Sequence, residues 1–438
     1  MDLNTVEFWP QLNKLHLTFD DLSPVMRTLA ESEHLETDVL GQSFLGNPIH
    51  SVTLGKGSIK ILAWTQMHGD EPTATAAVMD VLSYLLSDPN ALPLENFKAL
   101  FTLKIIPMLN PDGAQVKTRY NAQGIDINRD AIALQSPEGQ ILRNTVNTFK
   151  PDIALNLHDQ SPYYTVGGSP KPATIAFLAP AYNAEKSVNT QRKRAMQLIV
   201  GMRQAVEQRI PGSVARYDDE YSFRSFGDVI AGLGASTILI ESGAHGDDNN
   251  RQVARRMNMI SLLKCFELLS NNEHEMFSEA TYFSIPENTE NGLGDILIRK
   301  ANIPLHNSQL HFKADILLKR RKSPDCRSYI EAIGDLSHLY GFEEIDGDCF
   351  VLAAGRPILL EQPMTLDNER YHGLLQAGFT HFVGDSTLLK NQSSLPCLIL
   401  RKNQQHSLMP NSDGYLLVYE EQRPRFAILD NTVVELQP

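Results

Sequence analysis

The sequence predicts an α/β fold in which a mostly parallel, mixed sheet carries helices on both faces, followed by a β-rich C-terminal domain. Short apolar runs that suit buried strands alternate with segments of helical period, and polar residues follow the strands. From about residue 280, the chain changes to short strand-like runs separated by turns. Strands of the first domain are predicted at 49–54, 61–64, 101–109, 151–158 and 236–241.

Length and composition set the broad class of protein. A chain of 438 residues is long for one domain, so we expect domains at 1–275 and 280–438. A composition of 42% hydrophobic and 21% charged residues is ordinary for a soluble protein, and the apolar runs are too short to cross a membrane. A net charge of −13 argues against a nucleic-acid partner.

Cysteine usage and the N-terminal residues indicate the cellular compartment that we expect for this protein. The four cysteines form no Cys-x-x-Cys pair, which makes a disulfide framework or a thiolate zinc site improbable. The first ten residues have neither a basic nor an apolar signal region. We therefore expect a reduced, cytoplasmic protein in which any metal is held by histidine and carboxylate.

The segment Lys60–Thr73 organises the first domain. It reads as a buried strand, then a turn at Gly69, then a helix that begins near Pro72. Two metal-capable side chains, His68 and Glu71, lie three residues apart at this junction. Before this strand, Lys56-Gly-Ser predicts a hairpin turn from the strand at 49–54.

Two further strands end in polar side chains of the same kind. His158 ends the run that begins at Pro151, and Glu241 ends the run that begins at Ser236. Because the carboxyl ends of parallel strands share one edge of a sheet, we expect His68, His158 and Glu241 to meet there.

Two histidines and one carboxylate, with a fourth position open, are typical of a catalytic zinc. Zinc would acidify a water and polarise a carbonyl, and Glu241 would act as the base that takes the water proton. Arg119 would stabilise the developing oxyanion.

Three polar residues follow in a loop-like stretch. Asn128 and Arg129 could bind a substrate carboxylate, because a guanidinium group binds a carboxylate in a planar, bidentate manner. Asp126 could orient the ring of His68 through its second nitrogen.

Taken together, these motifs resemble the zinc carboxypeptidase family, the carboxypeptidase A-like metallopeptidases, over roughly residues 20–270. The matching stretches, in order, are Gly41-Gln-Ser-Phe-Leu-Gly-Asn-Pro-Ile49, His68-Gly-Asp-Glu71, Asn110-Pro-Asp-Gly113, Gly124-Ile-Asp-Ile-Asn-Arg129, and the strand-end His158 followed by Glu241.

The resemblance implies a zinc-dependent metallocarboxypeptidase with one Zn²⁺ per chain, which hydrolyses the C-terminal peptide bond of a peptide or small peptide-like substrate with a free carboxylate. It implies that His68, Glu71 and His158 bind the metal. It also implies a mobile tyrosine about twenty residues before Glu241, for which Tyr221 is the candidate and Tyr217 the runner-up. Asp130-Ala131 departs from the family, whose members often carry an aromatic residue nearby.

Two other functions stay open at this stage. The first is a zinc amidohydrolase of the aspartoacylase or succinylglutamate desuccinylase type, or a cell-wall peptide amidase, acting on a small acyl amino acid or a murein peptide. The second is a catalytically inactive binding module, against which the retained site residues argue. The sequence does not indicate the oligomeric state or the role of the second domain.

Overall fold

The computed structural model describes residues 9–87, 92–246, 248–305, 308–321, 327–401 and 408–436. The chain divides into two compact units, 1–290 and 291–438. Each unit is described by itself below.

The first unit alternates strands with helices. Its helices are α1 (Phe19–Ala30), α2 (Thr73–Leu86), α3 (Leu94–Leu100), α4 (Pro111–Val116), α5 (Pro137–Phe149), α6 (Thr190–Glu207), α7 (Phe226–Gly232), α8 (Gln252–Ser270) and α9 (Glu279–Phe283). Its strands are β1 (Leu35–Gln42), β2 (Pro48–Leu54), β3 (Ile59–Trp64), β4 (Phe101–Ile106), β5 (Ile153–Asp159), β6 (Thr165–Val166), β7 (Ile175–Leu178), β8 (Val214–Arg216), β9 (Ser236–Ser242) and β10 (Asn288–Thr289).

Eight of these strands form one mixed sheet in the order β1-β2-β4-β3-β5-β9-β7-β8. The central strands β4, β3, β5 and β9 are mutually parallel, whereas β1, β2 and the β7–β9 pair are antiparallel. The fold class predicted from the sequence is therefore confirmed, with β1, β7 and β8 as strands that the sequence did not predict.

Helices cover both faces of this sheet. Ile61 and Ala63 of β3 belong to the core shared with α2, α6 and α8, whereas Leu62 and Trp64 belong to the core formed with α5 and α7. This double burial explains why the central strands read as continuous apolar runs rather than as alternating ones.

The predicted hairpin between β2 and β3 is wrong, because β4 lies between these two strands. Their connection crosses the start of β4, where Lys56 N donates to Lys98 O and Gly57 N donates to Phe101 O. A Cβ on Gly57 would come within 2.0 Å of the Leu100 carbonyl carbon. The glycine therefore serves a close crossing of two chain segments, not a hairpin turn.

The second unit is rich in β-structure, as the sequence predicts. Its elements are β11 (Leu293–Pro304), β12 (His311–Arg320), β13 (Ser328–Gly334), β14 (Tyr340–Asp346), β15 (Phe350–Ala354), β16 (Arg356–Leu360), β17 (Met364–Leu366), α10 (Asn368–Gln376), β18 (Phe379–Gly384), β19 (Leu389–Asn391), β20 (Leu398–Leu400), β21 (Leu416–Glu420), β22 (Arg423–Leu429) and β23 (Thr432–Glu435). One sheet runs β13-β12-β11-β15-β21-β22-β23, with β14 paired to β11. A separate parallel sheet, β16-β18-β20, has α10 in the connection from β16 to β18.

Across the described residues, no helix has both the length and the apolar character needed to cross a membrane.

Candidate active site

The loop between β3 and α2 carries the first two candidate metal ligands, His68 and Glu71. Gln66 adopts a left-handed backbone conformation with φ 48°, and its side-chain Nε2 donates to the Gly69 carbonyl at 3.0 Å. Gly69 itself lies against the backbone of Gly113, so close that an added Cβ would come within 2.0 Å of the carbonyl carbon. The start of α4, which carries the Asn-Pro-Asp-Gly motif, thus supports the turn that presents the two ligands.

Two of the candidate ligands, His68 and His158, converge on the carboxylate of the third, Glu71. Its Oε1 lies 2.8 Å from His68 Nδ1, and its Oε2 lies 2.7 Å from His158 Nδ1. The three ligand atoms lie within 4.8 Å of one another, and all three residues are buried. Both imidazoles therefore turn the same nitrogen toward one point at the strand-end edge of the sheet.

Asp126 and Arg119 surround this group. His68 Nε2 lies 3.2 Å from Asp126 Oδ1, the contact expected from the sequence, and Arg119 Nε donates to Asp126 Oδ2 at 3.0 Å. Arg119 Nη1 also lies 3.4 Å from Glu71 Oε1 and 3.2 Å from His68 Nδ1. One carboxylate, Asp126, thus holds both a candidate ligand and the candidate oxyanion-binding guanidinium.

The charges of this cluster shift its pKa values strongly. Burial alone would lower the pKa of His68, but the charge of Glu71 and the hydrogen bonds to Asp126 and Glu71 raise it to about 9. Burial would raise the pKa of Glu71, yet the two imidazoles hold it well below its usual range. Burial lowers the pKa of His158.

Glu241 lies next to this cluster through strand register. Parallel strands β5 and β9 pair His158 with Glu241, and the glutamate is buried with Oε2 unpartnered among the described residues. Burial, reinforced by the negative charge of Glu71, raises the pKa of Glu241 well above its ordinary value. Such a carboxyl group with a high proton affinity is suited to proton transfer.

The donor set fits zinc. Two imidazole nitrogens and a carboxylate oxygen are the ligands of catalytic zinc sites, and structural sites would require a fourth protein ligand. His68, Glu71 and His158 are the group of this kind found among the described residues. The hydrogen bond from His68 Nε2 to Asp126 is the outer contact that commonly fixes a zinc-binding imidazole.

Comparison with known proteins relates part of this chain to a family. Residues 24–165 match the family model described as zinc carboxypeptidase (Peptidase_M14). These residues belong to the zinc carboxypeptidase family. The matched segment includes every candidate metal ligand together with Arg119, Asp126, Asn128 and Arg129, whereas Glu241 lies beyond it.

Individual relatives carry carboxypeptidase names. "Probable carboxypeptidase 2" of Arthroderma benhamiae is 29% identical over 136 residues, which are 30% of this chain and 25% of that protein. "Carboxypeptidase SOL1" of Arabidopsis thaliana is 24% identical over 206 residues, 40% of this chain and 42% of that protein. The match thus spans about a quarter of the fungal relative's length. A metallo-carboxypeptidase of Burkholderia cenocepacia superposes with a TM-score of 0.49 at 16% identity, covering 60% of this chain and 71% of that one.

In this zinc carboxypeptidase segment, Asn128 and Arg129 lie in a 3-10 turn that Asp126 caps by accepting from Asn128 N at 2.9 Å. Asn128 Oδ1 accepts from Phe226 N, and Arg129 Nη1 donates to Ser225 Oγ at 3.0 Å. The two side chains are therefore held against the start of α7. Arg129 is exposed, whereas Asn128 is buried.

The two candidate tyrosines occupy different surroundings. Tyr221 is partly exposed in the loop between β8 and α7. Tyr217 lies near Glu241 and 6.2 Å, between ring centroids, from Tyr164. Burial first, and then the charge of Glu241, raise the pKa of Tyr217. The charge of Glu241 thus acts on the runner-up, Tyr217, as it does on the neighbouring Tyr164.

Sequence reasoning missed one residue beside the ligands. Asp159 follows His158, and its Oδ2 accepts from Thr73 Oγ1 at 2.7 Å, at the start of α2. Its backbone N donates to Glu71 Oε2 at 3.2 Å. The sequence does show a second polar residue directly after the strand-end His158. It does not show that Asp159 bonds to Thr73, because the two residues lie far apart in the sequence.

Proposed function

We propose that this protein is a zinc-dependent metallocarboxypeptidase that hydrolyses the C-terminal peptide bond of a peptide. The observation that carries the proposal is the convergence of His68, Glu71 and His158 within 4.8 Å, at the strand ends where Glu241 is the register partner of His158. Membership of residues 24–165 in the zinc carboxypeptidase family supports it.

One zinc ion per chain would be held by Nδ1 of both histidines and by Glu71. Bound zinc supplies Lewis acidity, which acidifies water and polarises a carbonyl group. The negative Glu71 and the hydrogen bond from His68 to Asp126 prepare the chain for a divalent cation.

Glu241 would serve as the general base and then the general acid. Its raised pKa means that the carboxylate readily takes a proton from the attacking water. The same carboxyl group would then deliver that proton to the nitrogen of the departing amino acid. Its burial excludes competing solvent contacts from this transfer.

Arg119 would stabilise the negative charge that develops on the carbonyl oxygen. Asp126 fixes the guanidinium through Nε, and Nη1 contacts Glu71. Nη2 is the donor that we assign to the substrate oxygen. A guanidinium fixed in advance stabilises developing charge without reorganising during the reaction.

Asn128 and Arg129 would hold the terminal carboxylate of the substrate. The bonds to Phe226 N and Ser225 Oγ fix both side chains on a helix start, so that they present donors with little freedom. A free carboxylate at this position would place the last peptide bond, not an internal one, at the reacting centre.

A mixed substrate set tests the proposal. Zinc-loaded protein would be incubated with peptides that have free C-termini, with their amidated twins, with γ-linked murein peptides and with N-acyl amino acids, and the products weighed by mass spectrometry. We expect single C-terminal residues to be lost from free peptides only, and Glu241→Gln to release none. Cleavage confined to acyl amino acids or γ-linked peptides would replace the proposal with the amidohydrolase alternative.

A further inference from the structure

The side chain of Arg251 bridges the ends of two strands. Its Nη1 donates to Ser242 O at 2.7 Å, and its Nη2 donates to Gln160 O at 2.9 Å. Ser242 is the last residue of β9, and Gln160 follows the last residue of β5. Ser242 O also accepts from Gln160 N at 2.9 Å. The guanidinium therefore adds side-chain hydrogen bonds to the backbone hydrogen bond that joins these two strand ends.

These two strand ends carry the chemistry of the site. Glu241 directly precedes Ser242, and His158 lies two residues before Gln160. Beyond the register pair of His158 and Glu241, the strands have only one further paired position. Strand ends fray unless they are held, so a contact just past this pair acts on the separation of its two side chains.

A third contact reaches the other metal-ligand segment. Arg251 Nη1 lies 3.7 Å from Asp159 Oδ2, the same oxygen that accepts from Thr73 N and Thr73 Oγ1. Thr73 begins α2, two residues after Glu71. The guanidinium therefore connects the segments that present Glu241, His158 and Glu71.

The backbone of Arg251, whose side chain makes these contacts, adopts an uncommon conformation. The residue caps α8 with φ 54° and ψ 32°, the left-handed region that non-glycine residues seldom occupy. Its side chain is 16% exposed, although α8 begins at the surface of the unit. Such backbone strain is kept where the surrounding contacts require it, and it often marks functional sites.

We propose that Arg251 is a positioning residue that sets the spacing of His158, Glu241 and Glu71. The inference rests on the proposed function, because it gives these three side chains their roles. Arg251 touches none of the reacting groups; it acts through the carbonyls of Ser242 and Gln160. A guanidinium presents two donors in a fixed plane, which one ammonium group cannot reproduce.

Zinc affinity tests the proposal apart from activity. Full-length wild type, Arg251→Gln and Arg251→Lys would compete with a chromophoric chelator for Zn²⁺, and kcat and KM would be measured on a cleaved peptide. We expect Arg251→Gln to weaken zinc binding and lower kcat, each by about tenfold to a hundredfold, as for other residues that support metal ligands, with little change in KM. The zinc affinity and kcat of Arg251→Lys should lie between those of wild type and Arg251→Gln. The visible spectrum of the Co²⁺-substituted variants should shift.

Arg256→Gln is the matched control, since Arg256 lies exposed on the same helix, and its zinc affinity should stay at the wild-type value. Folded Arg251→Gln with zinc affinity and kcat within about twofold of wild type would overturn the proposal. If Arg251→Gln does not fold, the folded Arg251→Lys decides by the same comparison. A wild type that binds zinc but cleaves no substrate would refute the proposed function, while the zinc affinities would still decide the role of Arg251.

Discussion

His158 and Glu241 are register partners on the neighbouring parallel strands β5 and β9. One side chain is a candidate metal ligand, and the other is the candidate base. Because both belong to strand ends buried between helices, their spacing is set by the paired strands, which Arg251 joins just beyond this pair, and not by a flexible loop. This arrangement separates two functions that mutation can distinguish: holding the metal and moving a proton.

Glu241→Gln should therefore lower turnover strongly while leaving metal binding unchanged. We expect kcat to fall by about 10²–10⁴, the range for loss of a general acid–base group, with zinc stoichiometry unchanged. Since the raised pKa of Glu241 reflects an unfavourable buried charge, thermal unfolding should shift up or stay constant. Peptide kinetics and metal analysis measure these effects. Glu36→Gln, on the exposed face of β1, serves as the control; loss of zinc from Glu241→Gln would instead make Glu241 a ligand.

Asp126→Asn should weaken both metal binding and oxyanion stabilisation. The carboxylate bonds to His68 Nε2 and to Arg119 Nε, and an amide keeps its size but not its charge. We expect zinc affinity to fall by about tenfold to a hundredfold, measured by chelator competition. Asp38→Asn at an exposed position should have no effect. Equal zinc affinity for the two variants would remove Asp126 from this role.

Zinc affinity should rise with pH up to about 9, because His68 must lose a proton to bind zinc and its pKa is raised to about 9 in the metal-free protein. The lowered pKa of His158 leaves that ring neutral, so one proton is released and the apparent affinity should tighten about tenfold per pH unit below this pKa. Titrations at several pH values check this, and a flat profile from pH 7 to 9 would contradict it.

The raised pKa of His68 also predicts how the stability of the metal-free protein depends on pH. A folded pKa above the ordinary 6.5 means that the stability contributed by His68 is fully present below pH 6.5 and is lost as pH rises through about 9. Thermal unfolding of the chelator-treated protein should show this decline. In Asp126→Asn the decline should begin at lower pH, because one hydrogen bond that raises the pKa is weakened.

The two tyrosines can be separated by paired substitutions. Since Tyr217 lies near Glu241, we expect Tyr217→Phe to lower kcat/KM by about two- to tenfold, the equivalent of one hydrogen bond. Tyr221→Phe should change it less than twofold. The reverse order would restore Tyr221, the residue that the sequence favours, as the tyrosine that contacts the substrate.

The sequence predicted the central strands because their apolar runs are buried on both faces, as Leu62 and Ala63 show. It could bring His68, His158 and Glu241 together because parallel strands share a carboxyl edge. The sequence did not predict the features that depend on contacts between residues far apart in the chain. The insertion of β4 between β2 and β3, and the reach of Arg251 to Gln160 O, follow from three-dimensional packing and leave no local pattern.

Gly69→Ala should disturb the ligand loop without touching any ligand. A methyl group at this position would lie 2.0 Å from the Gly113 carbonyl carbon, and neither backbone segment can move alone, because Asn110 Nδ2 also donates to Met67 O. Overpacking of this kind costs about 1–3 kcal/mol of unfolding free energy. Because the displaced turn carries His68, zinc affinity should fall together with stability, as measured by urea unfolding and chelator competition.

Gly373→Ala provides the matched control for that substitution. Gly373 lies within α10, with no atom within 4 Å of an added Cβ, so alanine should be neutral or stabilise the protein by up to about 1 kcal/mol. Because residue 373 belongs to the second unit, zinc affinity should remain at the wild-type value. If Gly69→Ala behaved like Gly373→Ala in both measurements, the close contact between Gly69 and Gly113 would not position His68.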